Sequence, residues 1–316
     1  METNWAKQLA GIPGCHSFAR VEPFKKGLSS ERKYYIEAAG DVRLILRIAE
    51  ASAYDKKKSE YEVLTRLERL GIPASHPVAF GFCEDGKSVC QLLTWVDGKE
   101  VKTILPTLKE REQYDLGVKA GRLLKAIHAA IPGECIPEDF MRRFNSKMDR
   151  RLKRYLEYRG KRQTSGAADI FYNYVSANRK IPVGCRHGLL HGDYHAGNLI
   201  AGKTGALSVI DWSLNRMDDP WEDFARIIVS AESSPLFVTG QIEAYFGGAP
   251  GESFWSVLAL YVASHMLEII GWEQPFGDGS SFAEHQHRIA LMWYNNMRQI
   301  VPSCYRGDFC GKYKRM

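Results

Sequence analysis

The first third of the chain alternates short apolar runs with turn residues, a pattern typical of β-structure. Runs over 33–38 and 42–48 flank a Gly-Asp turn and predict an antiparallel hairpin. Apolar residues then recur every three positions over 59–70, just before a Gly-Ile-Pro stop, which predicts an amphipathic helix. Strands are predicted over 78–83 and 88–96, on either side of a Glu-Asp-Gly-Lys turn.

Beyond residue 97 the pattern changes to helical periodicity. Helices are predicted over 116–130, 140–159, 221–229 and 253–270. The sequence therefore predicts an α+β chain of two lobes that join near residues 94–99. Residues 1–96 form a small antiparallel β N-lobe with one helix, and residues 97–316 form a larger, mainly helical C-lobe. A ligand cleft is expected between the two.

Composition narrows the class of protein. Hydrophobic residues at 45% and charged residues at 25% match an ordinary globular chain. The N-terminus lacks the pattern of a secretory signal, and no run of about 18 apolar residues occurs, so a cytoplasmic protein without a membrane partner is expected. The seven cysteines are scattered, with no Cys-x-x-Cys pair. We expect reduced thiols rather than a disulfide framework or a zinc site.

The net charge of +6 is distributed unevenly. Ten Lys and Arg residues lie between 142 and 162, against only Asp149 and Glu157. This basic stripe predicts either a solvated helix face or a surface for an anion or an acidic partner. No nucleic-acid-binding module accompanies it, so a nucleic-acid partner is not expected.

The segment His-Gly-Asp-Tyr-His-Ala-Gly-Asn at 191–198 carries the clearest chemistry. Asp193 is followed five residues later by Asn198, and thirteen residues after that by Asp211 between Ile and Trp. Metal-dependent phosphoryl transfer needs one carboxylate to accept the acceptor hydroxyl's proton and two oxygen ligands for Mg²⁺, which prefers oxygen donors. Apolar runs at 199–201 and 207–210 predict a hairpin that brings Asn198 and Asp211 to the same end.

These segments resemble the aminoglycoside phosphotransferase and choline kinase family, whose members are protein-kinase-like small-molecule kinases. The His-Gly-Asp-x-x-x-x-Asn loop is present in full, with Ala196 where Pro is usual. The resemblance implies a protein-kinase-like bilobal fold, ATP or GTP as co-substrate, and Mg²⁺ as cofactor. It also implies roles for six residues: Asp193 in catalysis, Asn198 and Asp211 as magnesium ligands, and His191, His195 and Asp223 in supporting the loop.

The same resemblance implies a nucleotide site in the N-lobe. It assigns Arg47, in place of the usual Lys, to the triphosphate, and Glu60 as its partner. The remaining candidates are Ser29 and Ser30 over the phosphates, and the backbone groups of Thr94 and Val96 next to the adenine. Each of these also fits an ordinary structural role, as a surface turn or a strand end.

The acceptor is a small-molecule hydroxyl in this interpretation. Protein kinases have Arg where Gly192 lies, and the short span from Asp211 to Asp223 leaves little room for an activation segment. An aminoglycoside, which would make the chain an antibiotic-resistance enzyme, favours carboxylates, and a quaternary ammonium favours an aromatic ring. Candidates are Glu232, Glu268, Trp272, Glu273, Asp278 and Glu284. A choline-, ethanolamine- or sugar-type kinase and a catalytically silent nucleotide-binding regulatory module remain as alternatives.

Overall fold

The computed structural model describes residues 18–24, 31–161, 166–181, 184–270, 281–307 and 309. The chain divides into two compact units: Met1–Lys99 with Ile200–Ser213, and Glu100–Leu199 with Leu214–Met316.

The strands are β1 (Phe18–Pro23), β2 (Arg32–Ala38), β3 (Val42–Glu50), β4 (Pro77–Cys83), β5 (Ser88–Thr94), β6 (Lys99–Glu100), β7 (Gly188–Leu190), β8 (Leu199–Ala201), β9 (Leu207–Val209) and β10 (Arg216–Asp218). The α-helices are α1 (Tyr54–Arg69), α2 (Val101–Ile104), α3 (Glu110–Ala130), α4 (Pro137–Lys161), α5 (Gly166–Asn178), α6 (Ile227–Ala231), α7 (Pro235–Phe246), α8 (Glu252–Glu268) and α9 (Phe282–Trp293). Among the described helices, none combines the length and apolarity needed to cross a membrane.

The first unit is built on a five-stranded antiparallel sheet in the order β1-β2-β3-β5-β4. The predicted hairpin is confirmed as β2 and β3, with Ile36 opposite Leu44. Alternate residues of β3, including Leu44 and Leu46, are buried against the inward side chains of the neighbouring strands. Helix α1 begins at Tyr54, five residues before the predicted start, because a 3-10 turn over Ala51–Ala53 leads into it.

Residues 200–213 also belong to this first unit, although the sequence-based division assigned them to the helical lobe. The backbone N–H of Val209 in β9 donates to the Pro73 carbonyl at 3.0 Å, and Val209 forms a parallel bridge with Ala74. These contacts join positions more than 130 residues apart in the sequence. Local patterns carry no information about such a pairing.

The second unit is mainly helical. The four helices predicted here are present as α3, α4, the 3-10 helix Pro220–Arg226 continued by α6, and α8. Helices α5, α7 and α9 were not predicted. Helix α7 is apolar and buried on most of its surface, so it lacks the polar face that reveals an amphipathic helix in a sequence.

Close helix packing holds α3 against α7. A Cβ atom on Gly117 would lie 2.0 Å from the Phe237 carbonyl oxygen, and one on Gly121 would lie 2.1 Å from that of Gln241. Only glycine allows two backbones to approach so closely. This packing fixes the position of α3. Its last turn contains His128, which contacts Asp223 next to the loop at 191–198.

The basic stripe on α4 is only partly exposed. Lys147 and Arg151 are buried, whereas residues such as Lys153 point to solvent. Lys147 binds Asp218 and Glu222, and Arg151 binds Glu222 at 3.2 Å. The interpretation of the stripe as a solvated face or an anion surface is therefore wrong for these two cations, because buried carboxylates already neutralise them.

One pair of cysteines also contradicts the sequence analysis. Cys135 and Cys185 form a disulfide, with Cα atoms 5.7 Å apart, whereas Cys83, Cys90 and Cys304 are buried and reduced. The bond closes a loop of 50 residues that scattered cysteine spacing does not reveal. It ties the turn between α3 and α4 to the segment that enters β7.

Candidate active site

The segment at 191–198 is presented by a two-stranded ladder of the second unit. Strand β7 pairs antiparallel with β10, with Leu190 opposite Arg216. The chain then turns sharply at Gly192, whose φ is +83°. A Cβ atom there would lie 2.1 Å from the Leu214 carbonyl oxygen. Glycine is therefore required at this turn, both for the backbone conformation and for space.

Asp223 holds the start of this loop. Its Oδ2 accepts a hydrogen bond from the backbone N–H of His191 at 2.8 Å, and its Oδ1 accepts one from Gly192 at 2.7 Å. Nε2 of His128 donates to the same carboxylate at 3.1 Å. Burial raises the pKa of Asp223, but the hydrogen bond and charge of His128 and the charge of Arg216 lower it overall. The carboxylate is ionised and accepts three hydrogen bonds.

The two histidines of the loop act within the loop itself. Nδ1 of His191 accepts the backbone N–H of Asp193 at 3.2 Å, and Nδ1 of His195 accepts that of Gly197 at 3.0 Å. Because Nδ1 of His195 is an acceptor, its proton lies on Nε2, which is 3.5 Å from Asp193 Oδ2. Both contacts lie within the loop, and the loop-supporting role of the two histidines stays a prediction.

The Asp193 carboxylate is surrounded by donors of the second unit. Nε of Arg226 lies 3.2 Å from its Oδ1, and Nδ2 of Asn198 lies 3.1 Å from its Oδ2. Burial raises the pKa of this carboxyl, but the His195 hydrogen bond and the charge of Arg226 hold it well below its usual range. Asp193 is therefore an anion at neutral pH, suited to orienting a hydroxyl group.

The amide nitrogen of Asn198 is engaged by Asp193. Its Nδ2 donates to both the backbone carbonyl and the carboxylate of Asp193, at 2.9 and 3.1 Å. The amide oxygen is consequently the group of Asn198 that is left for another ligand. This amide oxygen in the second unit, and the Asp211 carboxylate in the first unit, are each of the hard oxygen type that Mg²⁺ prefers.

Asp211 belongs to the first unit and has an unusual backbone. Its φ is +62°, in the left-handed region that residues other than glycine rarely occupy. Trp212 beside it is buried and donates from Nε1 to the Val209 carbonyl, which anchors the end of β9. Asp211 Oδ1 lies 3.8 Å from a guanidinium nitrogen of Arg47. Such a conformation at a polar residue is typical of functional sites.

Arg47 and Glu60 meet in the first unit as the sequence predicts. Both are buried, and a guanidinium nitrogen of Arg47 binds Glu60 Oε1. Two further charged residues take part: Glu31 binds Arg47 at 2.8 Å, and Lys57 binds Glu60 Oε2 at 2.8 Å. Burial raises the pKa of Glu31, but the charges of Arg47 and Lys57 lower it overall.

The remaining residues predicted to contact the nucleotide are Thr94, Val96, Ser29 and Ser30. Thr94 is hydrogen-bonded in both directions to His76: its backbone N–H donates to the His76 carbonyl, and its Oγ1 accepts the His76 N–H, each at 2.8 Å. Val96 is half-buried just beyond β5. Ser29 and Ser30 lie outside the described residues.

The carboxylates proposed for the acceptor have protein partners wherever they are described. Glu268 binds Arg151 and lies 3.6 Å from His265, and His285 binds Glu232. Glu284 caps the first turn of α9 by accepting the Ser281 N–H at 2.9 Å. Trp272, Glu273 and Asp278 lie outside the described residues.

Sequence reasoning missed four residues next to the predicted ones: Glu31, Lys57, His128 and Arg226. Lys57 is the middle of three consecutive lysines, and nothing in the sequence separates it from its neighbours. His128 lies more than 60 residues before the loop. Arg226 has a signal that could have found it, because it follows Asp223 by three residues and so lies near the same face of a helical turn.

Comparison with solved structures establishes the predicted protein-kinase-like fold. A choline/ethanolamine kinase family protein from Mesorhizobium loti is 16% identical, with a TM-score of 0.63, over 93% of this chain and 96% of that one. A thermostable aminoglycoside phosphotransferase variant, solved as a ternary complex with AMP-PNP and hygromycin B, is 15% identical, with a TM-score of 0.62. That match covers 89% of this chain and 95% of the other.

Sequence comparison identifies the family. The acyl-CoA dehydrogenase family member 10 of Mus musculus is 26% identical over 236 residues, which cover 69% of this chain and 21% of that protein. The match thus spans about a fifth of the length of that relative. The model of the Phosphotransferase enzyme family matches residues 20–256, well over half of the sequence and including both the loop at 191–198 and Asp211. The chain belongs to the phosphotransferase enzyme family.

Proposed function

We propose that this chain transfers the terminal phosphoryl group of ATP or GTP to a hydroxyl group of a small molecule. The observation that carries the proposal is the Asp193 carboxylate, which is ionised. It lies in a loop that Asp223 fixes by accepting the backbone N–H groups of His191 and Gly192. Family membership supports the reaction class. The aminoglycoside phosphotransferase complex with AMP-PNP and hygromycin B supports a nucleotide and a small-molecule acceptor as the two substrates.

In this mechanism Asp193 accepts a hydrogen bond from the acceptor hydroxyl and orients its oxygen for attack. The low pKa of Asp193 makes it a weak base, which suits a loose transition state in which the proton leaves late. Arg226 and Asn198 hold the carboxylate in one orientation. Alignment of this kind supplies most of the rate enhancement that phosphoryl transfer requires.

Asn198 and Asp211 would hold Mg²⁺, and Arg47 would contribute a further positive charge toward the phosphates. A bound Mg²⁺ neutralises charge on the triphosphate. Glu60 fixes the guanidinium of Arg47, as a buried ion pair restricts both of its members. Asn198 is held by Asp193 in the second unit, and Asp211 lies near Arg47 in the first unit.

The test is turnover and nucleotide binding of single variants, with Asp115→Ala as the control because Asp115 forms an exposed ion pair with Arg111 on α3. We expect Asp193→Ala to lower kcat by about 10²–10⁴-fold with Mg-ATP binding largely kept. Asp211→Ala is expected to weaken Mg-ATP binding itself. Full turnover by Asp193→Ala would contradict the proposed reaction.

To identify the acceptor, phosphorylation is measured for a panel of aminoglycosides, macrolides, choline, ethanolamine and sugars. Phosphorylation of an aminoglycoside would support antibiotic resistance as the role, whereas choline, ethanolamine or a sugar would support a metabolite kinase. Mg-ATP binding without transfer to any of them would favour the silent regulatory module.

A further inference from the structure

Four charged side chains of the first unit form a closed ring of alternating charge, here called the charge ring: Arg47, Glu60, Lys57 and Glu31. Lys57 Nζ lies 2.8 Å from Glu60 and 2.5 Å from Glu31. Arg47 completes the ring by binding Glu60 with one nitrogen and Glu31 with two, at 2.8 and 2.9 Å. Side-chain exposure is 6% for Arg47, 5% for Lys57, 11% for Glu31 and 1% for Glu60.

The charge ring is electrically neutral as it stands. Two cations face two carboxylates, and the Asp211 carboxylate lies 3.8 Å from Arg47 in addition. A neutral cluster offers little attraction to a polyanion such as a triphosphate. For Arg47 to bind a phosphate group, one carboxylate of the charge ring must leave.

Glu31 is the carboxylate that can leave. It lies one residue before β2, outside the sheet ladder, and it is the most exposed member of the charge ring. Glu60 is fixed in the interior of α1 and is almost fully buried. Removal of Glu31 would leave Arg47 and Lys57 paired with Glu60 alone, so the charge ring would carry a net charge of +1. Both cations already bind the Glu31 carboxylate, so both could bind another anion in its place.

We propose that Glu31 occupies the position of a nucleotide phosphate group and is displaced when the triphosphate binds, and that Lys57 is a second phosphate-binding cation beside Arg47. This inference rests on the proposed function, because it requires that the chain binds a nucleoside triphosphate. The exchange is one anion for another, so no covalent step is involved. Glu31 then acts as an internal competitor that weakens nucleotide binding.

The sequence provides matched controls. Lys58 follows Lys57 on α1 and is exposed, and Glu37 lies on β2, where its ion-pair partner Arg20 is exposed. The measurement is calorimetric binding of Mg-ATP, magnesium tripolyphosphate and adenosine to the full chain. We expect Glu31→Gln to tighten Mg-ATP and tripolyphosphate binding about tenfold and to leave adenosine unchanged, because only the phosphates compete. Lys57→Met should weaken both phosphate ligands about tenfold, and Lys58→Met and Glu37→Gln should stay within about twofold of the wild type.

A second measurement uses the unaltered protein, so it does not depend on how a variant folds. Carbodiimide labelling of Glu31, followed by mass spectrometry, should increase severalfold when magnesium tripolyphosphate is added, because the carboxylate leaves the charge ring. Unchanged labelling would overturn the inference.

The possible failures are distinguishable. Wild-type protein that binds no Mg-ATP would overturn the proposed function itself. Wild-type protein that binds Mg-ATP, with a Glu31→Gln variant that binds it no more tightly, would overturn the displacement of Glu31 alone and leave the proposed function in place. Equal losses in Lys57→Met and Lys58→Met would refute the assignment of Lys57.

Discussion

Replacement of Asp223 by asparagine tests how the loop at 191–198 is held. The carboxylate accepts the N–H groups of His191 and Gly192 on different oxygens, and His128 on one of the two. Asparagine offers a single oxygen. Its NH₂ group must therefore face one of the two backbone N–H groups, which loses its acceptor in a buried environment.

The expected loss of stability follows from these bonds. An unsatisfied buried donor costs about 1–3 kcal/mol, and the surviving bonds lose the added strength of a charged acceptor. We expect Asp223→Asn to lower the free energy of unfolding by about 3 kcal/mol. Local opening of the loop should become about 100-fold more frequent, because each 1.4 kcal/mol is a factor of ten.

Two assays check this expectation. Hydrogen exchange of the His191 and Gly192 amides should accelerate about 100-fold, and kcat should fall by about the same factor, since a displacement near 1 Å at a catalytic group has that effect. Asp115→Asn, which alters an exposed ion pair on α3, should change unfolding by less than about 1 kcal/mol. Unchanged exchange at both amides together with unchanged kcat would refute the argument that Asp223 positions the loop.

Three further outcomes are expected. Burial and the charge of Arg226 lower the pKa of His265 to about 4, below the roughly 6.5 of an unfolded chain, so the stability from its neutral form is present above pH 6.5 and lost as the pH falls toward 4. Urea unfolding should thus show a loss of about 2 kcal/mol between pH 6.5 and 4.5 that is absent in His265→Gln; an equal loss in that variant would contradict the assignment. Reduction of the Cys135–Cys185 disulfide should lower stability by up to about 4 kcal/mol in the wild type and by nothing in the double Cys→Ser variant, whereas insensitivity of the wild type to reductant would mean that the bond does not constrain the unfolded chain. Arg226→Met should lower kcat at least about tenfold with the KM for ATP within twofold, with partial recovery in Arg226→Lys, and a change in the KM alone would show that Arg226 does not act through Asp193.

The elements that the sequence predicts are those with a local signal. The hairpin of β2 and β3 has period-two apolar runs around a turn, and α3 has a long amphipathic pattern. Helix α7 lacks such a pattern because it is apolar on nearly every side. The disulfide escaped prediction for another reason, since it depends on two distant turns that meet only in the folded chain.

In the candidate site, too, some residues have a local sequence signal and others are recognised only in the folded chain. The spacing of Asp193 and Asn198 could be read directly, because both lie in one loop, five residues apart, and their side chains contact each other within it. His128 could not, because it lies more than 60 residues before the loop and meets Asp223 only in the folded chain. Burial distinguishes Lys57 from the lysines beside it, and burial depends on how α1 packs rather than on the residue types.

Each unit places one arginine next to one of the predicted reactive carboxylates, buried in the case of Arg47 and half-buried in the case of Arg226. In the first unit Arg47 lies near Asp211 and is held by Glu60, and in the second unit Arg226 binds Asp193 and contacts His265. Arginine keeps its proton at any pH at which a protein functions, so it favours the ionised form of a carboxylate beside it without ever acting as a competing acid.

This arrangement couples stability to chemistry. A guanidinium that lost its buried partner would be an uncompensated charge, which costs about 3–5 kcal/mol when one member of a buried pair is removed. Substitutions at Glu60 should therefore reduce both folding stability and turnover, although its side chain pairs with Arg47 and not with a predicted reactive carboxylate. An exposed ion pair such as that of Arg111 and Asp115 has neither effect, because water replaces the lost partner.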